Sequence, residues 1–321
     1  MSHPAKFGNR DHVVNRDMAN PLICGVCMIK DAVDLVPFLC GHYLRIGFDR
    51  LVFIDDGSTD GTYETLQSIS RASNKIVVEK TGDPVYRQKQ VINEAANTAI
   101  ADGYPIVFPF DSDEFWNIDA ARIRIAAKQP GVFVGRWLHF VQDRGQTGFS
   151  RRGLLNVRYR APVFADTSPE TVERYERSFV CASMPKIGFR ADGPVHIDWG
   201  QHQLLGNSWP TLADSLEVFH LPLRAAAAID LRVALAERTL VGREPGHNWQ
   251  ARFFREATKA GKQAVVWASN SASKDGFLDL PGARVMLIED RRLGLALRQA
   301  WRYMLLRYPA QMSRLPAGPS A

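Results

Sequence analysis

Apolar runs alternate with amphipathic segments along the first part of the chain, as far as Trp116. Short apolar runs predict strands at LICGVCMI, RLVFID, KIVVEK and YPIVFPF. Between them, LVPFLCGHYLRIG and RQKQVINEAANTAIADG have apolar positions at helical spacing, which predicts helices that end at Gly47 and Gly103. Strands that alternate with helices favour a parallel sheet covered on both faces, so we predict a doubly wound α/β fold.

Beyond Trp116 the alternation becomes less regular. VFVGRWLHFV predicts another strand, whereas residues 144 to 180 combine Arg and Gly with short apolar pieces, which is typical of loops and a mixed sheet edge. The segments AAAAIDLRVALAER and REATKAGKQAVVWAS each predict a helix from their composition. We therefore expect a mostly parallel sheet with a mixed extension, followed by C-terminal helices.

The tail, residues 291–321, contains no acidic residue and predicts a basic, loosely amphipathic helix. Its arginines separate apolar positions at helical spacing. One interpretation is contact with an anionic membrane surface. The other is that the apolar stripe packs onto the domain, because Leu295 and Leu306 interrupt the polar face.

Composition and charge narrow the choice of binding partner and cellular location only slightly. The 321 residues carry a formal net charge of +6, which favours an anionic partner such as nucleotide phosphates or a lipid surface. No apolar stretch reaches the roughly 18 to 20 residues that span a bilayer, so we expect a cytoplasmic protein, soluble or peripheral at the inner face of the membrane. Arginines are spread through both halves without an interleaved aromatic and basic motif, so we expect no nucleic-acid partner.

Two cysteines form a CxxC motif inside a predicted strand. Cys24 and Cys27 are three residues apart, and residues with that spacing on a strand point to opposite faces, so one metal ion could not easily bind both. Cys40 and Cys181 stand alone in the sequence. We expect four reduced thiols that serve as small apolar residues.

Carboxylates follow two of the predicted strands at their carboxyl ends. Asp55 and Asp56 end the second strand, and Asp111, Asp113 and Glu114 follow the fourth. In an open α/β sheet such positions converge on one ligand crevice, and a divalent ion would offset the gathered charge. The alternative is local: a turn for the first pair and a helix N-cap cluster for the second group. We favour the ligand site because it uses the placement at the strand ends.

Ordered segments of the chain resemble GT-A glycosyltransferases, specifically the family 2 branch. ICGVCMIKDAVDLVPFLCGHYLRIGFDRLVFIDDGSTDGTYETL resembles the start of that domain, and FPFDSDEFW resembles its Asp-x-Asp-Glu-Phe metal motif. Three further segments resemble later motifs: WLHFVQDRGQTGFSRRGLLNVRY, MPKIGFRADGPVHIDWGQHQL and FHLPLRAAAAIDLRV. The resemblance covers roughly residues 22 to 250.

This resemblance implies a domain organisation and an activity. We expect an N-terminal extension (1–20), a GT-A domain (21–250) and a C-terminal helical region with a basic tail (251–321). Within the GT-A domain, residues 21–117 would bind the nucleotide and 118–250 the acceptor. The implied reaction is metal-dependent transfer of a hexose-like sugar from a nucleotide-diphosphate sugar, expected to be a UDP-sugar, to a carbohydrate or lipid-linked acceptor, with inversion. Such an activity belongs to polysaccharide biosynthesis.

The donor contacts are implied residue by residue. Asp55 and Asp56 match positions that contact the base or ribose of the nucleotide sugar, and Lys30 would lie near the nucleotide. Lys186 or His202 would lie near the diphosphate or the acceptor.

The resemblance also implies a metal site for Mn²⁺ or Mg²⁺. Asp111 and Asp113 would hold the ion and the sugar or ribose, and His220 would be a further ligand or a diphosphate contact. By contrast, we interpret His42 as a packing residue of the first helix.

An inverting transfer also needs a general base near the acceptor hydroxyl. We expect it among three carboxylates that flank the segments predicted to close over the acceptor, in the order Asp198, Asp143 and Glu217.

Departures from the family pattern keep a second function open. Asp31 and Ala32 follow Lys30 where the family has Asn and Glu, and Gln-Asp-Arg-Gly replaces Gly-Ser-Ser-Gly. A GT-A-like protein that binds a nucleotide sugar or a partner without turnover is therefore the alternative. Dehydrogenases and P-loop hydrolases fit worse, because no GxGxxG follows the first strand and GSTDGT lacks a phosphate-binding Lys.

Overall fold

The structure is a computed structural model that describes residues 20–81, 87–163, 184–206, 208–239, 249–280 and 282–315. The predicted N-terminal extension falls outside this part of the chain, apart from its last residue, and so does Cys181. The strands are β1 (Ile23–Ile29), β2 (Arg50–Asp55), β3 (Ile76–Lys80), β4 (Ile106–Pro109), β5 (Glu114–Asn117), β6 (Gly131–Asp143), β7 (Tyr159–Arg160), β8 (Pro185–Arg190), β9 (Thr211–His220), β10 (Ser271–Ala272), β11 (Phe277–Leu280), β12 (Ala283–Met286) and β13 (Ile288–Glu289).

Helices connect these strands and extend beyond them. They are α1 (Val36–Arg45), α2 (Thr62–Arg71), α3 (Gln88–Ala101), α4 (Ala120–Ala126), α5 (Arg151–Leu155), α6 (Ala228–Thr239), α7 (Trp249–Lys259), α8 (Gln263–Ala268), α9 (Arg292–Arg307) and α10 (Pro309–Met312), and a 3-10 turn covers Trp199–Gln201. Four predicted strands and the helices between them are thereby confirmed, as is the strand at VFVGRWLHFV.

One twisted sheet contains most of the strands. Its parallel part has the order β4-β1-β2-β3, and β8 joins it antiparallel to β4. On the far side of β8, β6 runs antiparallel to it and pairs with β9, which in turn pairs with β5. The predicted fold class is confirmed as a mostly parallel α/β sheet with a mixed extension and C-terminal helices.

Apolar side chains cover both faces of the sheet. On one face Cys27, Leu51 and Phe108 contribute to a core shared with α1, α2 and α9. On the other, Cys24 and Val52 pack with α3. The two cysteines of the CxxC motif therefore lie on opposite faces of β1, as the strand periodicity predicts, and both are free thiols.

The predicted C-terminal helix forms and packs onto α1. Leu293, Leu297 and Met304 are fully buried in the core, which confirms the packing interpretation of the tail. The approach is close, because a Cβ atom built on Gly41 would lie 2.3 Å from the carbonyl oxygen of Ala300. The opposite side of α9 exposes a second set of side chains, with Leu306 exposed by 81%.

The structure excludes one of the two interpretations of the segment after β4. No helix follows Asp113, since the chain continues directly into β5, so the alternative of an N-cap cluster at this position is excluded. The segment REATKAGKQAVVWAS, which was predicted to hold a helix, contains the end of α7 and all of α8, because Gly261 at φ +66° separates them. No described helix combines the length and apolar character that crossing a membrane requires.

Candidate functional site

A short connection between β4 and β5 carries the predicted metal motif. The backbone N–H of Glu114 donates to the carbonyl of Asp111 at 3.0 Å, and the side chain of Glu114 accepts from the N–H of Asp111 at 3.0 Å. β5 then turns back to pair antiparallel with β9, which places Glu114 opposite His220. The carboxylates of this connection therefore lie at the carboxyl end of β4, beside residues that follow about a hundred positions later.

A buried lysine lies between two of these carboxylates. The ammonium of Lys186, on β8, lies 2.8 Å from Asp111 and 3.0 Å from Glu114. Burial alone would lower the pKa of Lys186, but the two carboxylates outweigh it and raise that pKa. One ammonium cannot fully balance two carboxylates, so burial and the neighbouring Asp111 raise the pKa of Glu114 despite Lys186.

Two glutamines complete the surroundings of Asp111. The amide of Gln88, at the start of α3, donates to its carboxylate at 2.8 Å, and the amide of Gln201 donates at 3.3 Å. Gln201 also accepts from Lys186, and its backbone has φ +62°, which a residue with a side chain rarely adopts. A strained backbone thus holds a buried amide between Asp111 and Lys186.

Asp113 has different partners. The guanidinium of Arg232, on α6, donates to its carboxylate, and the Nε2 atom of His220 lies 3.7 Å from the same oxygen. Burial would raise the pKa of Asp113, but Arg232 and His220 outweigh burial and hold it below its usual value. Asp113 and His220 therefore lie beside each other, and their role as ligands of one metal ion stays a prediction.

Two aromatic rings contact His220. Trp137 stacks on its imidazole with ring centroids 4.6 Å apart, and the Nδ1 atom of His139 lies 2.9 Å from its Nδ1 atom. Trp137 also donates from its indole to Glu114 at 2.8 Å, and its ring lies 5.6 Å from that of His202. His202 therefore belongs to the same cluster, with its Nδ1 atom 2.6 Å from the carbonyl oxygen of Pro185.

The end of β2 forms the neighbouring part of the site. One carboxylate oxygen of Asp55 accepts from the backbone N–H groups of Gly57 and Ser58, and the other is buried without a hydrogen-bond partner among the described residues. Asp56 accepts from the hydroxyl of Thr81 at 3.1 Å. The ammonium of Lys30 donates to the backbone carbonyls of Asp56 and Gly57 at 3.0 and 2.7 Å.

A cavity of about 320 Å³ opens between α3 and the strands β2 and β3. Val52, Ile54 and Val77 form its apolar floor, and Asp56 and Thr81 line it at the carboxyl ends of the strands. A cavity with an apolar floor and a few polar groups is the usual form of a small-molecule site. It lies on the face of the sheet to which Val52, Ile54 and Asp56 point.

The three candidate bases lie in different places. Asp198 is held 2.9 Å from the ammonium of Lys89, and hydrogen bonds from Gln203 and Lys89 lower its pKa to about 2. It adjoins the cluster, because the N–H of Gln201 donates to its carbonyl at 3.1 Å. Asp143, at the end of β6, has Arg158 at 3.6 Å, and Glu217 pairs with Arg292 at 2.7 Å. No described contact joins Asp143 or Glu217 to Asp111 or Asp113.

Sequence reasoning missed four side chains of the cluster: Gln88, His139, Gln201 and Arg232. Their contacts depend on which residues become neighbours across the sheet and on where α3 and α6 pack, and no local pattern carries that information. For His139 the only available signal was its position two residues after Trp137 in a predicted strand, which puts both side chains on one face.

The donor set at Asp113 is compatible with a divalent cation. One carboxylate and one imidazole, with the remaining positions left for phosphate oxygens and water, suit Mn²⁺ or Mg²⁺. The 3.7 Å between the two ligand atoms is within the roughly 3 to 4 Å that separates neighbouring ligands of one ion. Among the described residues no group of three or more His, Cys, Asp and Glu side chains forms a metal site.

No protein-family model and no curated protein sequence matches the chain. Among solved structures, the chain is similar to S. aureus TarS at 16% identity and TM-score 0.34, over 74% of this chain and 43% of that one. TarS 1-349 in complex with UDP gives 14% identity and TM-score 0.33, over 74% and 72%. Mannosyltransferase PcManGT from Pyrobaculum calidifontis, in complex with GDP-Man and Mn²⁺, gives 12% identity and TM-score 0.37, over 92% and 76%. All three likenesses are remote in sequence and in shape.

Proposed function

We propose that the protein is a metal-dependent glycosyltransferase that moves a sugar from a nucleotide-diphosphate sugar to a carbohydrate or lipid-linked acceptor. One observation carries the proposal. Asp113 and His220 converge at the carboxyl end of the parallel strands, beside the buried cluster of Asp111, Glu114 and Lys186. This is the position at which open α/β sheets bind their ligands. The sequence resemblance to family 2 of the GT-A enzymes supports the same reaction.

The nucleotide is proposed to bind beside the end of β2. The unpartnered oxygen of Asp55 is a hydrogen-bond acceptor that a ring or ribose donor of the nucleotide could satisfy. Asp56 lines the adjacent cavity, and Lys30 holds the turn between β2 and α2 through two backbone carbonyls. A UDP-sugar is the donor that we would test first.

A divalent cation would be held by Asp113 and His220, whereas Asp111, the further ligand that the sequence resemblance implies, contacts Lys186, Gln88 and Gln201 in the structure. When bound, the ion would neutralise the negative charge that develops on the departing diphosphate. The guanidinium of Arg232 donates a hydrogen bond to the carboxylate of Asp113, so it would have to move away when the ion binds. Its positive charge would then be available to phosphate oxygens. Lys186 would hold the side chains of Asp111 and Glu114 in place through its contacts of 2.8 and 3.0 Å.

For the general base we propose Asp198, because it alone of the three candidates adjoins the cluster. Its side chain is partly exposed, so an acceptor hydroxyl could reach it. The low pKa keeps the carboxylate ionised at neutral pH, as a base requires, although it also makes the base weak. The acceptor would then approach from the side of the 3-10 turn at Trp199–Gln201.

The decisive experiment is calorimetric titration of UDP and of GDP, with and without Mn²⁺, into the wild type and two variants. Asp113→Asn removes the charge of the proposed ligand, and Asp214→Asn makes the same change at an exposed position of β9 outside the site. We expect metal-dependent binding of one nucleotide by the wild type and by Asp214→Asn, and its loss in Asp113→Asn. If the folded wild type binds neither nucleotide, the proposal fails.

Arg232 is the specific observation that favours the alternative, a nucleotide-sugar-binding protein without turnover. Its guanidinium already neutralises Asp113, which is the task that the metal would perform. Hydrolysis of radiolabelled UDP-sugars in the presence of Mn²⁺, measured as release of free sugar, separates the two functions. Tight donor binding with no metal-stimulated turnover would favour the alternative.

We also propose that α9 contacts an anionic membrane surface. Its exposed side combines Leu295, Leu306, Arg298 and Arg302, so apolar side chains are flanked by positive charge. Deletion of the tail would remove core residues of α9, so the test uses Leu295→Ser with Leu306→Ser. Both substitutions leave the buried side unchanged. We expect the double variant to bind vesicles containing phosphatidylserine less than the wild type does, and equal binding would contradict the contact.

A further inference from the structure

Residues 196–205 form a short hairpin beside the carboxylate cluster. Ile197 and Leu204 pair in its stem as an antiparallel bridge. The tip of the hairpin is the 3-10 turn at Trp199–Gln201, whose last residue donates from its side-chain amide to Asp111 at 3.3 Å. The tip therefore borders the proposed donor site.

Two asparagines of α3 hold the stem of the hairpin as a neighbouring strand would. Asn97 accepts from the N–H of Val195 at 2.8 Å and donates to its carbonyl at 3.1 Å. Asn93 makes the same pair of hydrogen bonds with Ile197, at 2.7 and 2.9 Å. The two asparagines are four residues apart, so they lie on one face of the helix and match alternate residues of the stem. These contacts fix the stem to α3.

The backbone of the turn at the tip is strained. Gly200 and Gln201 have φ values of +66° and +62°, in the left-handed region. A Cβ atom built on Gly200 would lie 2.4 Å from the Nε2 atom of His202, so the turn requires glycine at this position. Strain of this kind persists only where the surrounding structure determines the conformation. The hairpin therefore holds Trp199 in a defined place.

Trp199 presents an aromatic ring to solvent among hydrogen-bonding groups. Its exposure is 40%, although tryptophan is mostly buried in folded proteins. The ammonium of Lys89 lies 5.9 Å from the centre of the ring and 2.9 Å from one carboxylate oxygen of Asp198, and Gln203 donates to the other oxygen at 2.9 Å. The indole and the carboxylate thus flank the same ammonium.

This combination matches the chemistry of a sugar ring. A pyranose has an apolar face of C–H groups, which packs on the electron-rich face of an indole, and a rim of hydroxyl groups, which need donors and acceptors beside it. A polyanionic ligand fits less well, because the carboxylate of Asp198 adjoins the ring and repels negative charge. A purely apolar ligand would leave the polar groups around the ring without hydrogen bonds.

We infer that Trp199 stacks against a pyranose ring of a carbohydrate ligand, which is the acceptor in the proposed reaction, and holds one of its hydroxyl groups near Asp198. The inference rests on the proposed function, because it gives a substrate class to the acceptor side of the same site. Asp198 and Trp199 are consecutive, so a ring that covers the indole lies within reach of the carboxylate. Glucose-type rings fit best, since their equatorial hydroxyl groups leave both C–H faces free.

Fluorine-19 spectra of the full chain labelled with 5-fluorotryptophan test the contact directly, with the signal of Trp199 assigned from a Trp199→Phe variant. The probes are cellohexaose and chitohexaose. Sorbitol, which has hydroxyl groups on an open chain and no ring face, is the control ligand. We expect one or both oligosaccharides to shift the Trp199 signal saturably and sorbitol to leave it unchanged. Absence of a shift with both oligosaccharides would overturn the inference.

Two substitutions separate the aromatic face from apolar bulk. Trp199→Phe keeps an aromatic ring, whereas Trp199→Leu keeps only an apolar side chain, and circular dichroism checks that both variants fold. We expect the affinity for the oligosaccharide that shifts the signal, measured by calorimetry, to fall by about threefold in the Phe variant and by about tenfold in the Leu variant. An affinity of Trp199→Leu equal to that of the wild type would overturn the inference.

A transfer assay distinguishes failure of the inference from failure of the proposed function. It uses radiolabelled UDP-sugars, Mn²⁺ and the same oligosaccharide. Binding at Trp199 without transfer would support the inference and contradict the proposed turnover. Transfer with the same KM for the oligosaccharide in the wild type and in Trp199→Leu would overturn the inference and support the proposed function.

Discussion

The ammonium of Lys186 lies 3.0 Å from the carboxylate of Glu114, and neither side chain is exposed to solvent. Asp111, which is partly exposed, completes the group at 2.8 Å from the same ammonium. Burying ions is costly, and their mutual attraction offsets that cost only when each charge keeps its partners. The group therefore places a fixed negative charge at the end of β4 while the interior remains electrically balanced.

Lys186→Met is expected to destabilise the protein by about 3 to 5 kcal/mol, because it leaves Glu114 buried without its counter-charge. Urea unfolding followed by circular dichroism measures the loss. The double variant Lys186→Met with Glu114→Gln removes both charges, so it should recover part of the stability. Equal stability of the wild type and the single variant would show that Glu114 is protonated and needs no partner.

Arg232→Gln is expected to increase the affinity for Mn²⁺ in the absence of nucleotide by about tenfold, since the ion no longer displaces a charge-assisted hydrogen bond to Asp113. Isothermal titration of Mn²⁺ measures the change. Arg232→Lys keeps the positive charge near the carboxylate and serves as the control, with affinity close to that of the wild type. Unchanged or weaker binding by Arg232→Gln would mean that Arg232 does not compete with the ion.

His42 should make stability depend on pH. Its Nε2 atom donates to the carbonyl of Trp116 at 2.9 Å, its Nδ1 atom is buried without a partner among the described residues, and burial lowers its pKa from 6.5 to about 4. The unfolded chain then binds a proton more readily than the folded one. Stability should be complete above pH 6.5 and decrease by up to roughly 3 kcal/mol as the pH falls toward 4.

His42→Gln is the matched variant for this effect, because a Gln amide can donate to the carbonyl of Trp116 and does not titrate. Urea unfolding at a series of pH values should show a smaller loss of stability on acidification in the variant than in the wild type. Parallel curves for the two proteins would exclude His42 as the source of the pH dependence.

Gly41→Ala is expected to destabilise the protein by about 1 to 3 kcal/mol, because the added methyl group would meet the backbone of α9 at Ala300. Thermal unfolding measures the effect. Gly193→Ala is the control, since a Cβ atom there meets nothing within 4 Å. A midpoint for Gly41→Ala as high as that of the control would show that α9 moves away from α1 without cost.

Local pattern was sufficient for the parallel half of the fold. Short apolar runs and glycine-terminated helical segments from LICGVCMI to YPIVFPF predict β1 to β4 and the helices between them. After Asp113 local pattern left two interpretations open, because acidic residues also suit a helix N-terminus. The pairing of β5 with β9, about a hundred residues away, determines that segment, and local propensity does not report it.

Local sequence pattern predicts only part of the candidate site. Asp55, Asp111 and Asp113 follow strands, so sheet geometry predicts that they lie at one edge of the sheet, and their role in one ligand site stays a prediction. The groups that balance them come from positions fixed by tertiary packing, among them Arg232 on α6 and Gln88 on α3. Lys186 was expected near the diphosphate, whereas the structure surrounds its ammonium with Asp111, Glu114 and Gln201. Its proposed contact with the donor stays a prediction.

The order in which the chain is synthesised gives the pairing of β5 with β9 a kinetic consequence. Asp111, Asp113 and Glu114 leave the ribosome long before Lys186, His220 and Arg232, which neutralise or border them. Until those residues arrive, the end of β4 carries three carboxylates without counter-charge, and β5 has no strand to pair with. Closing a connection of this length is slow, so the amino-terminal half is expected to complete its packing only after most of the chain has been translated.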